Sequence, residues 1–398
     1  MPRSSRPASD LPDWLILVLG AMALALAMGI GRFAFTPLMP LMLRDGTLTA
    51  AQGAEWAMLN YVGYLLGALT AARFSAQPLR GLQLALYGVA ATTLAVAWVG
   101  QGLPVWSGAL LRTVAGVFSA WALVCTSSWC LGEMARRHLS HRGAWIYVGV
   151  GKGIALAGVV AWLGGHQRAQ ALWLEFGVVT LLGALLLHFL ARPSPPGTST
   201  AASRATPGQA TPPGTLGLIV CYGIFGFGYI MPATFLPTLA RQQISDPMVF
   251  GLTWPLFGAA AAISVAVAAL WMSGWSRHRL WAVAQAIMAI GTLMPLLHPA
   301  LWSLALSAVL VGGTFLLTTM GGLQLARAYA PDNPTPLLAR MTVAFAAGQI
   351  LGPLLVRAIG EQRWLGWDAL AWGHASATVL LLLTAAWLWQ ASRQPGAA

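Results

Sequence analysis

The sequence predicts an all-helical membrane protein with twelve transmembrane helices, arranged as two six-helix halves. The first observation is composition: 58% of the 398 residues are hydrophobic and only 8% are charged, whereas soluble domains carry about 25% charged residues. The second is length, because twelve apolar runs approach the roughly 20 residues that cross a bilayer. The third is the Pro/Gly/Ser/Thr-rich stretch 192–215, which has the composition of a flexible linker and separates six runs from six.

The apolar runs, numbered here as spans 1 to 12, supply the domain organisation. We expect an N-terminal tail at 1–13, a six-helix bundle at 14–191, the linker at 192–215, a second six-helix bundle at 216–390 and a C-terminal tail at 391–398. The spans start near Trp14, Glu55, Leu79, Pro104, Arg142, Ala169, Leu216, Val249, Leu280, Leu301, Leu337 and Trp367.

The positions of the arginines predict the orientation of the spans. Most loop arginines fall on the side that carries both termini and the linker, and the other side holds only Arg44, Arg168, Arg241 and Arg363. Because positively charged loops stay in the cytoplasm, both termini and the linker are predicted to be cytoplasmic. The net charge of +12 is therefore a topology signal. No nucleic-acid partner is expected, since the basic residues do not gather on one soluble face.

An internal repeat supports the division into halves. A shift of 197 positions places Gly29 on Gly226 and Gly31 on Gly228. The surrounding segments are G-I-G-R-F-A-F-T-P-L-M-P in span 1 and G-F-G-Y-I-M-P-A-T-F-L-P in span 7, and both contain residues that interrupt a helix. Matched broken helices in two halves are typical of transporters, whose substrate site lies between the halves near the membrane midplane.

Three segments carry a resemblance to a known family. They are A-M-G-I-G-R-F-A-F-T-P-L-M-P-L-M at 27–42, L-N-Y-V-G-Y-L-L-G-A-L at 59–69 and G-Q-I-L-G-P at 348–353. Together these segments resemble the YbfB/YjiJ family of the major facilitator superfamily. The resemblance implies the major facilitator fold and an inner-membrane secondary transporter that works by alternating access. It does not imply a substrate.

Span 4 adds a feature of the superfamily as a whole. In A-L-L-R-T-V-A-G-V-F-S-A, Arg112 is followed four residues later by Gly116, as in the superfamily's fourth-helix motif, although Ala115 replaces the expected glutamine. The superfamily motif between spans 2 and 3 is degenerate, because Ala71 stands at the position of its aspartate. The first motif therefore supports the resemblance, and the second shows where this chain departs from it.

Three basic residues lie deep inside predicted spans, where a charge costs several kcal/mol and usually faces a bundle interior or a water-filled path. Arg32 lies midway along span 1, Arg112 in the outer half of span 4, and Lys152, the only lysine, near the middle of span 5. No acidic residue lies equally deep in the sequence pattern. We therefore predict that the three cations bind a small organic anion. Each has a structural alternative: bracing a broken helix, packing helices or reaching the membrane interface.

Neutral polar and aromatic side chains complete the predicted substrate site. Asn60, Tyr61 and Tyr64 form a strip on span 2. Tyr229 stands at the repeat position of Arg32, and Gln349 stands at that of Lys152. Each of these residues has helix packing as its alternative role. The prediction is asymmetric: the first half carries the charge, and the second half supplies a neutral wall.

Charged residues nearer the helix ends are candidates for gating or coupling. Glu133 is expected to pair with Arg136 and neighbouring arginines at the cytoplasmic gate, and Arg73 is a remnant of the motif between spans 2 and 3. Glu55 and Glu175 lie near the outer ends of spans 2 and 6. They would carry a coupling proton only if they lay deeper than their positions indicate.

The predicted function is secondary active transport of a small polar molecule. The positive charge of the interior predicts that this molecule is an organic anion. The alternative within transport is proton-linked efflux of drugs or sugars, with structural cations. The alternative from another class is a non-transporting membrane sensor or assembly subunit. No enzyme, cofactor or metal site is indicated, since there is no G-x-x-x-x-G-K-[ST] loop and the three cysteines follow no ligand spacing. The expected partners are a small-molecule substrate, membrane lipid and, if transport is coupled, a proton; the chain is expected to be monomeric.

Overall fold

The computed structural model describes residues 11–74, 76–191, 215–243, 252–271, 275–298, 300–330 and 335–393. Most of the predicted linker and of both predicted tails lies outside these residues. Helices joined by turns make up the described part of the chain, and no strand occurs in it. The all-helical class predicted from composition is therefore confirmed, and each helix takes the number of its predicted span.

The helices are α1 Asp13–Arg44, α2 Ala50–Thr70, α3 Pro78–Val96, α4 Val105–Arg136, α5 Val148–Leu163, α6 Ala169–Leu190, α7 Thr215–Gln243, α8 Thr253–Trp271, α9 Arg277–Leu297, α10 Leu301–Tyr329, α11 Thr335–Ile359 and α12 Ala369–Ala391. Among the described residues, ten helices are long and apolar enough to cross a membrane; α2 and α8 are not among them. A 3-10 stretch, Ser140–Tyr147, moves the start of α5 past the predicted Arg142.

The start of α2 also differs from its prediction. The helix begins at Ala50, five residues before the predicted Glu55. The cause is a capping box, in which the Thr49 hydroxyl accepts from the Gln52 backbone N–H and the Gln52 side chain accepts from the Thr49 backbone N–H. The predicted start of span 8, Val249, lies outside the described residues.

The first helix changes its geometry in the middle. It is α-helical over Asp13–Leu24 and Phe35–Arg44, with a π-helix at Ala25–Phe33 between them. In a π-helix the carbonyl of residue i accepts from the N–H of residue i+5. The glycines of G-I-G-R-F weaken the regular helix, and Pro37 lacks an N–H. The predicted break is thus a widened stretch of continuous helix, with Arg32 in its last turn.

The two halves repeat one packing pattern. In the first half, α2 and α3 pack on α4, α3 packs on α6, and α1 packs on α5. In the second half, α8 and α9 pack on α10, α9 packs on α12, and α7 packs on α11. The halves meet where α5 packs on α8 and where α2 packs on α11. Adding six to the helix numbers converts each of these contacts into its partner, so the repeat inferred from the sequence is present in three dimensions.

Glycines allow the tightest helix contacts in both halves. A Cβ added to Gly116 in α4 would overlap the carbonyl oxygen of Asn60 in α2. A Cβ added to Gly312 in α10 would overlap the carbonyl oxygen of Phe257 in α8. These backbone atoms cannot move away as a flexible side chain could. The glycine of the fourth-helix motif therefore serves the close packing of α4 on α2, and Gly312 serves it in the second half.

Polar contacts define two ends of the bundle. On the side where α6 ends and α7 begins, Arg137, the residue after α4, binds Asp13 at the start of α1 (2.5 Å). We call this the linker side. On the opposite side, the far side, Oδ2 of Asp45 accepts from the Ala169 backbone N–H (2.7 Å). The linker side is the one that the arginine distribution predicts to be cytoplasmic.

Candidate functional site

Arg32 lies on the π-helical segment of α1, between the two halves, and only 4% of it is exposed. Its Nη2 donates to Oε1 of Gln349 on α11 (2.7 Å) and to the hydroxyl of Tyr229 on α7 (3.3 Å). Its Nε is buried and has no hydrogen-bond partner. Among the described residues, no acidic side chain forms an ion pair with Arg32. The hydrogen-bond acceptors found for this buried charge are therefore neutral.

Aromatic rings cover the guanidinium of Arg32. Its Cζ lies 3.8 Å from the ring centroid of Tyr64, 5.1 Å from that of Phe33 and 5.6 Å from that of Tyr61. A cation within about 6 Å of a ring centroid is attracted by the ring's negative face, more strongly when water is excluded. Two predicted site residues of span 2, Tyr61 and Tyr64, thus contact Arg32 through their rings.

The contact between Arg32 and Tyr229 joins equivalent positions of the repeat, because the two residues are 197 positions apart. One turn further along α1, the Thr36 hydroxyl donates to the Ala233 carbonyl oxygen (3.0 Å), and this pair is also 197 positions apart. Repeat-equivalent residues meet where the pseudo-twofold axis passes between them. Arg32 therefore lies close to the axis that relates the halves, and the register inferred from the sequence holds for α1 and α7.

A stack of aromatic rings beside Tyr229 was not predicted from the sequence. The Tyr229 ring is nearly parallel to those of Phe315 on α10 (5.6 Å, 9°) and Phe345 on α11 (5.7 Å, 5°). Phe225, one helical turn from Tyr229, lies 5.4 Å from it. The spacing of Phe225 and Tyr229 was the one signal in the sequence. Phe315 and Phe345 come from other helices, and only the tertiary structure brings them here.

Arg112 supports the backbone of α1. Its Nη1 donates to the Gly31 carbonyl oxygen (3.0 Å) and its Nη2 to the Arg32 carbonyl oxygen (2.8 Å). Its Cζ lies 5.2 Å from the ring centroid of Phe35 and 5.8 Å from that of Trp173. The predicted proximity of Arg112 to Arg32 is real, but the two residues meet through a carbonyl group of the π-helix. Nη1 and Nη2 of Arg112 therefore serve the backbone of α1.

Lys152 does not join the cluster around Arg32. Its side chain is exposed, on the face of α5 that also carries the exposed Leu156 and Leu163. The adjacent Gly151 and Gly153 are buried and approach α8 and α1 instead. The structure therefore places Arg32 and Arg112 next to each other and turns Lys152 to another face of α5, and a shared binding role for the three cations stays a prediction.

The other predicted residues of α2 link helices. Nδ2 of Asn60 donates to the Arg112 carbonyl oxygen (2.8 Å), and its Oδ1 is buried without a partner. The Tyr61 hydroxyl and the Thr234 hydroxyl lie 2.8 Å apart, which joins α2 to α7 across the halves. Tyr61 therefore both contacts Arg32 and ties the two halves together.

Two acidic residues predicted near the outer helix ends have different surroundings. On the far side, Glu55 of α2 pairs with Arg357 of α11 across the halves (3.4 Å), with 36% and 46% of their side chains exposed. Glu175 is exposed on α6, on a face with the exposed Val178 and Val179. Of these two candidates for coupling or gating, only Glu55 contacts both halves.

The charged candidates on the linker side make contacts within the first half. Glu133 pairs with Arg136 and with Arg137 (2.8 Å), and Arg137 also binds Asp13. This network joins the end of α4 to the start of α1. Nε of Arg73 donates to the Thr70 carbonyl oxygen (3.0 Å), in the turn after α2. None of these contacts bridges the two halves.

Several side-chain contacts between the halves lie at the level of Arg32 or nearer the far side. Among the described residues these include Arg32 with Tyr229 and Gln349, Phe33 with Trp254 and Phe315, Thr36 with Ala233, Tyr61 with Thr234, and Glu55 with Arg357. Toward the linker side, Ser128 of α4 and Gln324 of α10 are exposed. The structure is therefore closed on the far side of Arg32.

Comparisons with known proteins identify the family. A family model described as "Uncharacterised MFS-type transporter YbfB" matches residues 24–390. A search of curated proteins finds no match. Among solved structures, a D-xylose-proton symporter is similar with a TM-score of 0.75 and 14% identity, over 95% of this chain and 98% of that one. The nucleoside transporter NupG is similar with a TM-score of 0.72 and 13% identity, over 94% of this chain and 99% of that one.

The POT family transporter PepTSo is similar with a TM-score of 0.72 and 10% identity, over 97% of this chain and 98% of that one. At these identities the structural likeness shows the fold alone. The family match shows more than the fold, because the family model covers most of the chain. The apolar helices and the transporter family together describe a multi-pass membrane protein that is not an enzyme. The chain belongs to the family of the MFS-type transporter YbfB.

Proposed function

We propose that this chain carries a small organic anion across the membrane by alternating access of its two halves. The observation that carries the proposal is Arg32, a buried cation near the pseudo-twofold axis that has no carboxylate partner among the described residues. We also propose that all twelve helices cross a bacterial inner membrane. The termini and the linker then lie in the cytoplasm, as the arginine distribution predicts.

The electrostatics around Arg32 favour an anion over a neutral ligand. Burying a guanidinium is costly, and Gln349, Tyr229 and the surrounding rings offset only part of that cost with neutral groups. Hydrogen bonds between guanidinium and carboxylate are shorter and about twice as strong as neutral ones. An anion that reaches Arg32 would supply the missing negative charge. The same site would gain much less from a neutral molecule of equal shape.

The surroundings of Arg32 favour one anionic group attached to an apolar or aromatic body. Nη1 and Nη2 of Arg112 donate to carbonyl oxygens of α1, and Lys152 lies on another face, so Arg32 is the cation that we assign to the anion. The rings of Tyr64 and Tyr229 lie around it. Ligand sites commonly combine apolar walls with a few polar groups that fix orientation. A monocarboxylate fits this combination better than a dicarboxylate.

The position of the closed contacts supports alternating access. The halves touch between Arg32 and the far side, through pairs such as Tyr61 with Thr234 and Glu55 with Arg357. In this conformation a substrate would reach Arg32 from the linker side. Separating these pairs and closing the linker side would turn the same site toward the far side. This exchange matches the rocking of two repeats around a fixed site.

A second candidate function is proton-linked transport of a neutral substrate, with the buried arginines structural. Arg112 favours it, because its donors serve the carbonyl groups of Gly31 and Arg32. One solved structure with the same fold is described as a D-xylose-proton symporter. The two functions differ in what Arg32 does: the anion transporter needs it for binding, and the transporter of a neutral substrate does not.

A ligand panel on the purified protein tests the proposal. Sodium acetate, lactate, succinate and benzoate are compared with benzamide, the neutral isostere of benzoate, and with D-xylose, and the melting temperature is measured. Saturation at about 100 times Kd stabilises a protein by about 2.7 kcal/mol. We expect a monocarboxylate to raise the melting temperature, and Arg32→Gln to remove this shift. Arg80→Gln, which changes an exposed arginine bonded to Gln77, should leave the shift intact.

Two results would contradict the anion proposal. One is stabilisation by benzamide or D-xylose equal to that by the carboxylates. The other is an anion-dependent shift that survives Arg32→Gln. In proteoliposomes, uptake of the radiolabelled anion that binds should then require Arg32, which separates a transporter from a membrane sensor.

A further inference from the structure

Gln349 occupies the position on Arg32 that an anion needs. Its Oε1 accepts from Nη2 of Arg32 at 2.7 Å, and its Nε2 donates to the Tyr229 hydroxyl, which also accepts from Nη2. Both Arg32 and Gln349 are buried. The Nε–H of Arg32 has no acceptor. The guanidinium is therefore held at one nitrogen by the second half and is unsatisfied at another.

The shape of a guanidinium decides what an incoming carboxylate must do. A carboxylate binds it bidentately either at the edge formed by Nε and Nη2 or at the edge formed by Nη1 and Nη2. Both edges include Nη2, the atom that Gln349 and Tyr229 occupy. Nη2 has two hydrogens, one at each edge, and it already donates to Gln349 and to Tyr229, so a bidentate anion must displace one of these two acceptors. The unpartnered Nε favours the first edge, because binding there satisfies it.

We infer that Gln349 is a surrogate ligand, which holds Arg32 until the carboxylate of the substrate displaces it. This inference rests on the proposed function, because it requires an anion at Arg32. It assigns Gln349 a role opposite to that of an ordinary binding residue. Gln349 competes with the substrate, so removing its amide should strengthen binding.

The displacement has a consequence for the conformation, because the bond between Arg32 and Gln349 joins α1 to α11 across the halves. Breaking it removes one of the contacts that keep the far side closed. Substrate binding and the loss of this contact between the halves thus occur in the same step. As long as the bond between Arg32 and Gln349 persists, the far side stays closed. Reorientation without substrate is disfavoured, which is the behaviour of an exchanger.

Two substitutions at Gln349 separate a surrogate ligand from an ordinary one. Gln349→Leu removes the amide at similar size, and we expect it to tighten benzoate binding about tenfold, a factor that corresponds to about 1.4 kcal/mol. Gln349→Glu places a permanent carboxylate on Nη2, and we expect it to weaken benzoate binding at least tenfold. The control is Gln285→Leu, which removes another fully buried glutamine, one bonded to Trp281 and Thr384 in the second half. It should leave the Kd unchanged.

The binding experiment distinguishes failure of the proposed function from failure of the surrogate role of Gln349. If benzoate and the other carboxylates bind without dependence on Arg32, the proposed function fails. If they bind through Arg32 but Gln349→Leu weakens binding, the proposed function stands and the surrogate role of Gln349 is overturned. Isothermal titration in detergent measures Arg32→Gln, Gln349→Leu, Gln349→Glu and Gln285→Leu on the same scale.

A second measurement needs no ligand. Ala233 on α7 is 1% exposed and lies on the far side of Tyr229, where its carbonyl oxygen accepts from Thr36. In a background without the three native cysteines, Ala233→Cys reports opening of the far side by its reaction with a membrane-impermeant maleimide. We expect Gln349→Leu to speed this reaction at least threefold without any anion, whereas Gln285→Leu does not. An unchanged rate in Gln349→Leu would refute the link between this bond and far-side closure.

Discussion

Replacing Arg112 by leucine should destabilise the protein through the first helix. Arg112 is 2% exposed and donates two hydrogen bonds, to the carbonyl oxygens of Gly31 and Arg32. These carbonyls lie where the π-helical segment ends and the α-helix resumes, just before Pro37, which has no N–H. Arg112 therefore adds two donors at the point where the helix changes its hydrogen-bond pattern.

The magnitude follows from those two bonds. A hydrogen bond to a charged group contributes about 1.5–3 kcal/mol, and a buried carbonyl left without a donor costs about 1–3 kcal/mol. Two bonds from Arg112 thus amount to about 3–6 kcal/mol. Removing the charge offsets part of this loss, because a buried guanidinium is itself expensive to desolvate. We therefore expect Arg112→Leu to lower the free energy of unfolding by about 3 kcal/mol, at the low end of the range that the bonds alone indicate.

The assay is equilibrium unfolding in mixed micelles of dodecylmaltoside and SDS, followed by tryptophan fluorescence. Arg112→Lys, which keeps the charge but loses the planar pair of donors, should fall between Arg112→Leu and the native protein. Arg80→Leu controls for loss of an exposed arginine, and its effect should stay below about 0.5 kcal/mol. If Arg112→Leu unfolds like the native protein and instead abolishes anion binding, Arg112 contacts the substrate. The proposed role of Arg112 in stabilising α1 is then refuted.

Four further outcomes follow from contacts already described. Gly116→Val should prevent stable folding, because its side chain overlaps the backbone of α2, whereas Gly132→Ala meets no atom within 4 Å and should be tolerated in a thermal-melting assay. Glu55→Gln removes an exposed ion pair with the arginine of α11, worth at most about 1 kcal/mol, so far-side thiol labelling should rise no more than about fivefold and the effect should vanish in high salt. Tyr61→Phe removes one hydrogen bond between the halves, worth about 0.5–1.5 kcal/mol, so labelling should also rise, while benzoate binding persists through the ring. Glu133→Ala should lower the free energy of unfolding by about 1–3 kcal/mol without changing far-side labelling, since its contacts stay inside the first half; a labelling change would place it in the gate.

Much of the fold could be predicted because hydropathy depends on composition over long windows. A bilayer imposes about 20 apolar residues on each crossing, so apolar runs mark helices before any contact is known. The register of the repeat was also accessible, because the glycines of spans 1 and 7 align at a shift of 197 positions. The contact between Arg32 and Tyr229 at that same separation shows that the shift describes the structure.

The geometry of the candidate site was predicted only in part, and Lys152 shows why. In a membrane helix every face is apolar, so the sequence does not reveal which face turns inward. Adjacent residues point about 100° apart around a helix with 3.6 residues per turn. Gly151 and Gly153 pack against other helices while Lys152, between them, is exposed. The depth of Lys152 along its span could therefore be predicted, but the face of the helix on which it lies could not.

The sequence by itself determined the class of the protein, its division into two related halves and the presence of a costly cation in a weakened first helix. Those features depend on local composition and on spacing along the chain. Only the tertiary structure decided which groups meet that cation. It brings Gln349 to Arg32 from 317 positions away and directs Arg112 to the backbone. The physical reason is that helix rotation and packing between halves are set by contacts among distant segments, and these contacts leave no periodic signal in the sequence.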